Sequence, residues 1–337
     1  MTKNDRIKAF TKLGEWMLQL DQDTFWRLES IQNLNPWYTK ENILKQLQAL
    51  GQNLTEEKLE AWTAPYNVKE TSKVVGLVLA GNIPLVGFHD VLSTLILGFT
   101  AQIKLSSDDA GLSNIVLNKL IEIEPRLQPQ IQVVEKLADF DLVIATGSNN
   151  TARYFEYYFG KKPNIIRKNR NSIAVLTGAE SNEELTQLGN DIFDYFGLGC
   201  RSVSKIFIPK DYSIATFFEA IEHYNSIKDH YKYNNNYDYN KSIYLVNRDK
   251  HFDNGFLLLK EDENIASPLA VVFYQEYDNL SEVETYINSR KENIQCVTST
   301  ANLTIDTPLF SLGGSQCPAL DDYADGIDTL QFLTDNQ

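Results

Sequence analysis

The residue in this sequence best suited to covalent chemistry is Cys200, in the segment Phe196-Gly197-Leu198-Gly199-Cys200-Arg201-Ser202. Its two glycines end the preceding amphipathic helix and permit close backbone approach, so the cysteine falls on a loop. Arg201 and Lys205 follow closely in sequence, and a cationic, partly exposed setting lowers the pKa of a thiol and favours the nucleophilic thiolate. The alternative is a small buried apolar residue, which is how ordinary cytosolic cysteines often behave.

A second segment, Ala80-Gly81-Asn82-Ile83-Pro84-Leu85, lies where a buried strand is expected to turn into a helix. Such turns at the carboxyl ends of parallel strands are where α/β sheets bind ligands. The alternative is structural, because Asn82 is a good helix N-cap and Pro84 suits an early helical position.

A third segment, Ile144-Ala145-Thr146-Gly147-Ser148-Asn149-Asn150, again runs from an apolar stretch into a helix through glycine and capping residues. Backbone N–H groups at such a helix start can hold a pyrophosphate. Thr146, Gly147 and Ser148 are therefore candidate cofactor-binding residues, although an ordinary helix start needs no ligand.

The elements that must position these segments follow from the pattern after Val74, where short apolar runs alternate with amphipathic stretches. Strands alternating with helices predict βαβ units and a mainly parallel, doubly wound sheet. The predicted elements of this part are strands Val74–Ala80, Ala101–Leu105 and Phe140–Ala145, and helices Leu85–Leu97 and Leu112–Ile123. Helical spacing of apolar residues before residue 65 predicts an N-terminal helical cap.

A second β-rich section begins near Ser172, and Tyr231–Tyr239 within it is predicted to be a surface loop of low complexity. The predicted strands of this section are Ile173–Leu176, Val203–Ile208, Ser242–Val246 and Pro268–Tyr274. We therefore expect a helical cap and cofactor-binding domain over 1–172, a catalytic domain over 173–305, and a C-terminal segment over 306–337 that returns to the first domain.

Composition excludes several function classes. The formal net charge of −14 repels nucleic acid phosphates and anionic lipid headgroups, which favours a small-molecule substrate. Three cysteines form no disulfide framework, and their spacing suggests no metal site. No apolar stretch reaches the length of a membrane span and no signal peptide is evident, so a cytoplasmic protein is expected.

The order of these segments resembles the aldehyde dehydrogenase superfamily over about residues 70 to 320. Asn82 and Pro84 match the family's Pro-Trp-Asn-x-Pro element, Lys104-Leu105-Ser106-Ser107 its Lys-Pro-Ser-Glu, and Thr146-Gly147-Ser148 its Thr-Gly-Ser turn. Gly197-x-Gly199-Cys200 stands in place of the nucleophile element Gly-Gln-x-Cys, and 264–269 is similar to Glu-Ile-Phe-Gly-Pro-Val. Within the superfamily the sequence is most similar to the LuxC-like acyl-CoA reductases, whose ending resembles 316–329.

The resemblance implies an α/β fold with a Rossmann-type cofactor domain and a second α/β catalytic domain. It also implies that Cys200 carries the acyl group of a thioester, and that the Asn82 amide and the Cys200 N–H stabilise the oxyanion. Lys104 and Ser106, together with the Thr146–Ser148 turn, would bind a nicotinamide cofactor, whose hydride converts the acyl-enzyme to an aldehyde.

Departures from the family pattern refine this expectation. The general-base glutamate of hydrolytic aldehyde dehydrogenases is absent from 167–173, which favours thioester reduction over aldehyde oxidation to an acid. Ser107 replaces an acid that can bind ribose hydroxyls, which favours NADPH, with Lys104 as partner of the 2′-phosphate and NADH as the alternative. Asn264 replaces the glutamate that holds the nicotinamide ribose.

Two other functions stay open at this point: an acid-forming aldehyde dehydrogenase, and a non-reducing partner protein that carries or transfers an acyl group. The acyl donor is expected to be an acyl-CoA or an acylated protein, and a homo-oligomer is open. Cys296, Cys317 and His89 have no matching family role, so packing is expected for the two cysteines and a core or interface position for His89.

Overall fold

The computed structural model describes residues 1–337, which divide into two compact units. The first unit comprises residues 1–169 and 319–337, and the second comprises residues 170–318. The assignment of cofactor binding to the first and of catalysis to the second stays a prediction. No helix is long and apolar enough to cross a membrane.

The first unit begins with four helices, which confirm the predicted helical cap: α1 (Lys3–Leu18), α2 (Gln22–Leu34), α3 (Lys40–Asn53) and α4 (Glu56–Thr63). Each has an Asp or Thr N-cap whose side chain accepts a hydrogen bond from a backbone N–H in the first turn; the caps are Thr2, Asp21, Thr39 and Thr55. The caps define where each helix begins.

The sheet of the first unit is built from alternating strands and helices: β1 (Val74–Val78), α5 (Phe88–Ile96), β2 (Thr100–Lys104), α6 (Leu112–Ile123), β3 (Ile131–Val133), β4 (Leu142–Thr146), α7 (Asn149–Phe159) and β5 (Asn164–Arg167). The strand order is β3-β2-β1-β4-β5 and every pair is parallel, which confirms the doubly wound prediction. The order reverses between β1 and β4, so the carboxyl ends of these two strands flank the switch point at which such sheets bind ligands.

A buried ion pair ties three elements of the first unit together. Arg167, at the end of β5, lies 2.5 Å from a carboxylate oxygen of Asp90 on α5, and both side chains are almost fully buried. The guanidinium also donates to Thr329 Oγ1 at 3.1 Å. Removing one partner of such a pair leaves an uncompensated buried charge, which typically costs about 3 to 5 kcal/mol.

The second unit contains the remaining strands and four helices: β6 (Asn171–Val175), α8 (Asn182–Phe193), β7 (Val203–Pro209), α9 (Ile214–Ala220), α10 (Tyr231–Asn247), β8 (Phe252–Asp253), β9 (Leu258–Glu261), β10 (Val271–Tyr277), α11 (Leu280–Ser289), β11 (Ile294–Ser299) and β12 (Leu309–Phe310). The strand order is β12-β11-β6-β7-β10-β9-β8. All pairs are parallel except β8 with β9.

Helix α10 corrects two predictions, because the expected loop Tyr231–Tyr239 and the expected strand Ser242–Val246 belong to this one helix. Its buried stripe consists of Tyr233, Tyr237, Asn240 and Tyr244, which are spaced at three and four residues. Helical spacing is usually recognised from aliphatic residues. Because tyrosine and asparagine occupy the buried positions here, the sequence did not show the spacing of a helix.

The chain returns to the first unit at Ala319 and ends in α12 (Thr329–Asp335). Tyr323 accepts a hydrogen bond from the Trp62 indole at 2.9 Å, and its ring packs edge-on against His89. Tyr66 donates to Asp328, the N-cap of α12, at 2.7 Å. These contacts attach the C-terminal segment to the rest of the first unit and place His89 in a polar aromatic cluster, where its Nε2 lies 2.9 Å from Leu320 O.

Candidate active site

Cys200 lies on an exposed turn between α8 and β7. The chain reaches it through Tyr195, Phe196 and Gly197, which have positive φ angles of 53°, 59° and 77°. Non-glycine residues in this region cost of order 1 kcal/mol or more, and they persist only where the surrounding structure fixes them. Tyr195 is buried and Phe196 packs on the His230 ring at 4.3 Å, so side-chain packing holds the reversal that presents the cysteine.

The backbone on both sides of Cys200 is hydrogen-bonded. Ser202 N–H donates to Gly199 O at 3.0 Å, and Gly199 N–H donates to Ser202 Oγ at 3.2 Å. On the other side, Ser172 Oγ donates to Cys200 O at 3.0 Å. The turn is therefore fixed by two serine side chains that the sequence analysis did not single out.

A buried carboxylate supports this turn from the adjoining helix. Asp191 on α8 accepts from Gly313 N–H at 2.7 Å, from Ser315 N–H at 3.0 Å and from Ser315 Oγ at 2.6 Å. Burial raises the pKa of the Asp191 carboxyl group. The anchored segment continues to Gln316, whose amide donates to Ser202 Oγ at 3.3 Å.

The two expected cations near Cys200 differ in their roles. The Arg201 guanidinium lies 5.5 Å from the centre of the Phe310 ring. Lys205 is fully buried, and its ammonium donates to Asp262 O at 2.6 Å and to Asn264 O at 3.3 Å. The charge of Lys205 thus holds the 262–264 loop, and Arg201 is the cation adjacent to Cys200 in the chain.

The other two cysteines differ from Cys200 and from each other. Cys296, on β11, is fully buried with its Sγ 3.1 Å from Ser172 Oγ, as expected of a packing residue. Burial raises the pKa of its thiol to about 11, so very little thiolate forms at neutral pH. Cys317 is exposed, which corrects the expectation that it packs in the interior.

The first unit brings the Asn82 loop against the turn after β2. A Cβ atom on Gly81 would lie 2.8 Å from Ser106 Cβ and 3.1 Å from Asp109 N, so only glycine permits this approach. Lys104 ends β2 with its side chain exposed, and Ser106 Oγ accepts from Asp108 N–H at 3.2 Å. Two of the predicted binding segments therefore meet at the carboxyl edge of the sheet.

Asn82 is exposed, and the structure shows that it is not a helix N-cap. Helix α5 begins at Phe88 with Gly87 as its N-cap. Tyr38, a fully buried residue that the sequence analysis missed, shares its hydroxyl proton between Gly81 O and Ile83 O, at 3.0 Å each. Burial raises the pKa of Tyr38, so the hydroxyl keeps the proton that it donates to the two carbonyls flanking Asn82.

The Thr146–Ser148 turn follows β4 on the other side of the switch point. Ser148 caps α7 by accepting from Thr151 N–H at 3.2 Å. A Cβ atom on Gly147 would lie 3.0 Å from the Phe155 ring. Helix α7 therefore begins at the carboxyl edge of the sheet, and the N-terminus of a helix favours a negatively charged group such as a phosphate.

Comparison with known proteins assigns the family. The sequence model of the family described as acyl-CoA reductase (LuxC) matches residues 8–326. The chain belongs to this family. It is therefore an oxidoreductase that reduces an acyl thioester to an aldehyde, and the reaction uses a nicotinamide cofactor. No curated protein sequence matches the chain significantly.

Solved structures show the same fold at low sequence identity. Aldehyde dehydrogenase 21 from Physcomitrella patens, in complex with the reaction product succinate, matches 100% of this chain and 84% of its own at a TM-score of 0.69 and 13% identity. The NAD-dependent benzaldehyde dehydrogenase from Corynebacterium glutamicum matches 94% and 83% at a TM-score of 0.67 and 12% identity. The Mycobacterium tuberculosis aldehyde dehydrogenase complexed with NAD+ matches 93% and 78% at a TM-score of 0.63 and 14% identity. The predicted aldehyde dehydrogenase-like fold is confirmed.

The buried position of Lys205 predicts a pH-dependent contribution to stability. Burial lowers the pKa of Lys205 from 10.5 to about 8, so between these values the folded state binds fewer protons there than the unfolded state. The contribution of Lys205 to the free energy of unfolding is therefore least favourable below about pH 8, and it increases as the pH rises towards 10.5. One pKa unit corresponds to about 1.4 kcal/mol. The unfolding free energy of the wild type minus that of Lys205→Met should rise by roughly 1 to 2 kcal/mol between about pH 7 and pH 9.5.

Urea denaturation of both proteins at the two pH values measures this difference. A difference that is constant, or that falls as the pH rises, would contradict the assignment of a buried, desolvated ammonium to Lys205.

Proposed function

We propose that this chain reduces a fatty acyl thioester to the aldehyde with NADPH through an acyl-enzyme on Cys200. The observation that carries the nucleophile assignment is the contrast between the cysteines. Cys200 is exposed on a turn whose backbone is hydrogen-bonded on both sides, whereas Cys296 is buried with a raised thiol pKa. Cys317 is exposed as well, but it matches no nucleophile motif of the family.

In the proposed reaction, the Cys200 thiolate attacks the thioester carbonyl and the thiolate of the donor leaves, so one thioester replaces another. The Cys200 N–H stabilises the oxyanion, and the family resemblance gives Asn82 the role of a second donor. A bound nicotinamide cofactor would supply the hydride that reduces the acyl group. Collapse of the resulting hemithioacetal releases the aldehyde and returns the Cys200 thiolate.

The residue that replaces the general base of the hydrolytic enzymes supports reduction over acid formation. Arg167 occupies the matching position, and it is buried in an ion pair with Asp90. A guanidinium stays protonated and cannot activate water as a general base. Loss of this general base removes the activation of water that would hydrolyse the acyl-enzyme, which favours reduction over acid formation.

The residues proposed to hold the cofactor lie at the carboxyl ends of β2 and β4. Ser148 and Gly147 form the start of α7, and Ser106 lies against the Asn82 loop. Lys104 is exposed at the end of β2, and Ser107 stands where an acid would repel a 2′-phosphate. These features support NADPH as the cofactor.

The nucleophile assignment predicts different behaviour for two cysteine variants. Cys200→Ala should abolish aldehyde formation from a series of fatty acyl-CoAs, because no acyl-enzyme can form. Cys296→Ser should keep turnover within about threefold of the wild type, because the hydroxyl of the new side chain is of similar size and keeps the polar contact with Ser172 Oγ. Aldehyde release is measured by trapping with a hydrazine reagent, which also gives the preferred chain length. Activity in Cys200→Ala would refute the assignment.

The oxyanion role of Asn82 predicts a loss of rate without a loss of stability. Asn82→Ala should lower kcat with acyl-CoA by about 100-fold, as is typical when one oxyanion donor is lost. Because Asn82 is exposed and caps no helix, the Tm of Asn82→Ala should stay within about 3 °C of that of the wild type. Asn82→Asp, which keeps the size but replaces the donor with an acceptor, should be at least as slow. Wild-type turnover in Asn82→Ala would exclude this role.

The cofactor assignment predicts that the preference for NADPH over NADH depends on the charge of Lys104. Lys104→Ala should reduce kcat/KM for NADPH by about tenfold and leave that for NADH nearly unchanged, because only the 2′-phosphate needs the ammonium. Equal losses of kcat/KM with both cofactors would show that Lys104 does not bind the 2′-phosphate. A wild-type preference for NADH would reverse the assignment.

A further inference from the structure

Two serines fix the two peptide planes that meet at the Cα atom of Cys200, Ser202 through its backbone N–H and Ser172 through its hydroxyl. The carbonyl before Cys200, Gly199 O, accepts from Ser202 N–H at 3.0 Å. The carbonyl of Cys200 itself accepts from Ser172 Oγ at 3.0 Å. Neither peptide can rotate about its flanking bonds without losing a hydrogen bond.

The first of these planes contains the backbone donor of the proposed mechanism. All peptide bonds are trans, so the C=O of Gly199 and the N–H of Cys200 point in opposite directions within one plane. Ser202 holds the C=O side of that plane through its own N–H. Its Oγ also accepts from Gly199 N–H at 3.2 Å, which fixes the plane before it. Ser202 therefore sets the direction in which the Cys200 N–H points.

The second plane is fixed from the neighbouring strand. Ser172 is fully buried near the start of β6, and its Oγ lies between Cys200 O and Cys296 Sγ, which is 3.1 Å away. The bond from Ser172 restrains the ψ angle of Cys200 and thereby the direction of its Cα–Cβ bond relative to β6. The Ser202 hydroxyl is also held, because the Gln316 amide donates to it at 3.3 Å.

We propose that Ser172 and Ser202 are positioning residues that orient the Cys200 thiol and the Cys200 N–H for attack on the thioester carbonyl. The inference rests on the proposed role of Cys200 as the nucleophile. Neither serine contacts the substrate in this scheme; each acts through the backbone of the turn.

This role separates two reactions of the same thiol. Acylation by a thioester needs a thiolate together with a backbone N–H aimed at the developing oxyanion. Alkylation by iodoacetamide needs only the thiolate and access, because no oxyanion forms. Loss of a positioning hydroxyl should therefore slow acylation and spare alkylation, whereas a general disturbance of the turn would change both.

The test measures both rates at the Cys200 peptide by mass spectrometry in the full-length wild type and in single variants. Ser172→Ala should acylate about 10- to 100-fold more slowly with an acyl-CoA, since small misplacements of reacting groups cost up to about 100-fold. Ser202→Ala keeps the N–H that holds Gly199 O and loses only the bond from Gly199 N–H, so it should acylate about 3- to 10-fold more slowly. Their alkylation rates should stay within about twofold of the wild type. Ser172→Thr and Ser202→Thr, which keep the hydroxyl, should recover most of the acylation rate.

Ser299→Ala is the matched control, because Ser299 is also buried and its Oγ donates to a backbone carbonyl, Val175 O, at the far end of β6. It should acylate and alkylate like the wild type. Wild-type acylation in both serine-to-alanine variants, or an equal fall in acylation and alkylation, would overturn the inference. If the wild type itself is not acylated at Cys200, the proposed function fails, and that result is distinct from a failure of the positioning role alone.

Discussion

Ser202 and Gly199 exchange two hydrogen bonds across Cys200, one through each backbone N–H, and the presentation of the thiol depends on this pair. The backbone before this pair is strained, since Tyr195 and Phe196 have positive φ angles. That strain is offset by the burial of Tyr195, the packing of Phe196 on His230, and the three donors that Asp191 collects from the 313–315 segment. The turn that carries Cys200, the proposed nucleophile, is thus fixed by buried groups of the second unit.

The first unit differs from the second, because its candidate binding residues lie in short loops and at a helix start along one edge of a parallel sheet. Parallel pairing places the ends of β1, β2 and β4 at the same edge. Gly81 lets the Asn82 loop approach the Ser106 turn, and Ser148 begins α7 at the switch point. A buried tyrosine, Tyr38, holds the loop from below through two carbonyls, so the exposed Asn82 side chain projects from a restrained backbone.

The sequence predicted the parts of this arrangement that depend on local patterns. Apolar runs, glycines and capping residues located β1, β4, α6 and the start of α7, because these features act within a few residues of one another. The sequence did not predict α10, whose buried stripe is made of tyrosine and asparagine. It also missed Tyr38, Ser172, Asp191 and Gln316, since each acts on a segment that is distant along the chain. Lys205 was located near Cys200 in sequence, but its ammonium is bound by carbonyls of the 262–264 loop.

Intact-protein mass spectrometry can show whether Cys200 carries the acyl group between the thioester and the aldehyde. The protein is mixed with a fatty acyl-CoA, analysed, and then treated with NADPH. The wild type should gain the mass of one acyl group and Cys200→Ala should gain none, and the added mass should disappear with release of aldehyde after NADPH is added. No adduct with any acyl-CoA, or an adduct that persists in Cys200→Ala, would contradict it.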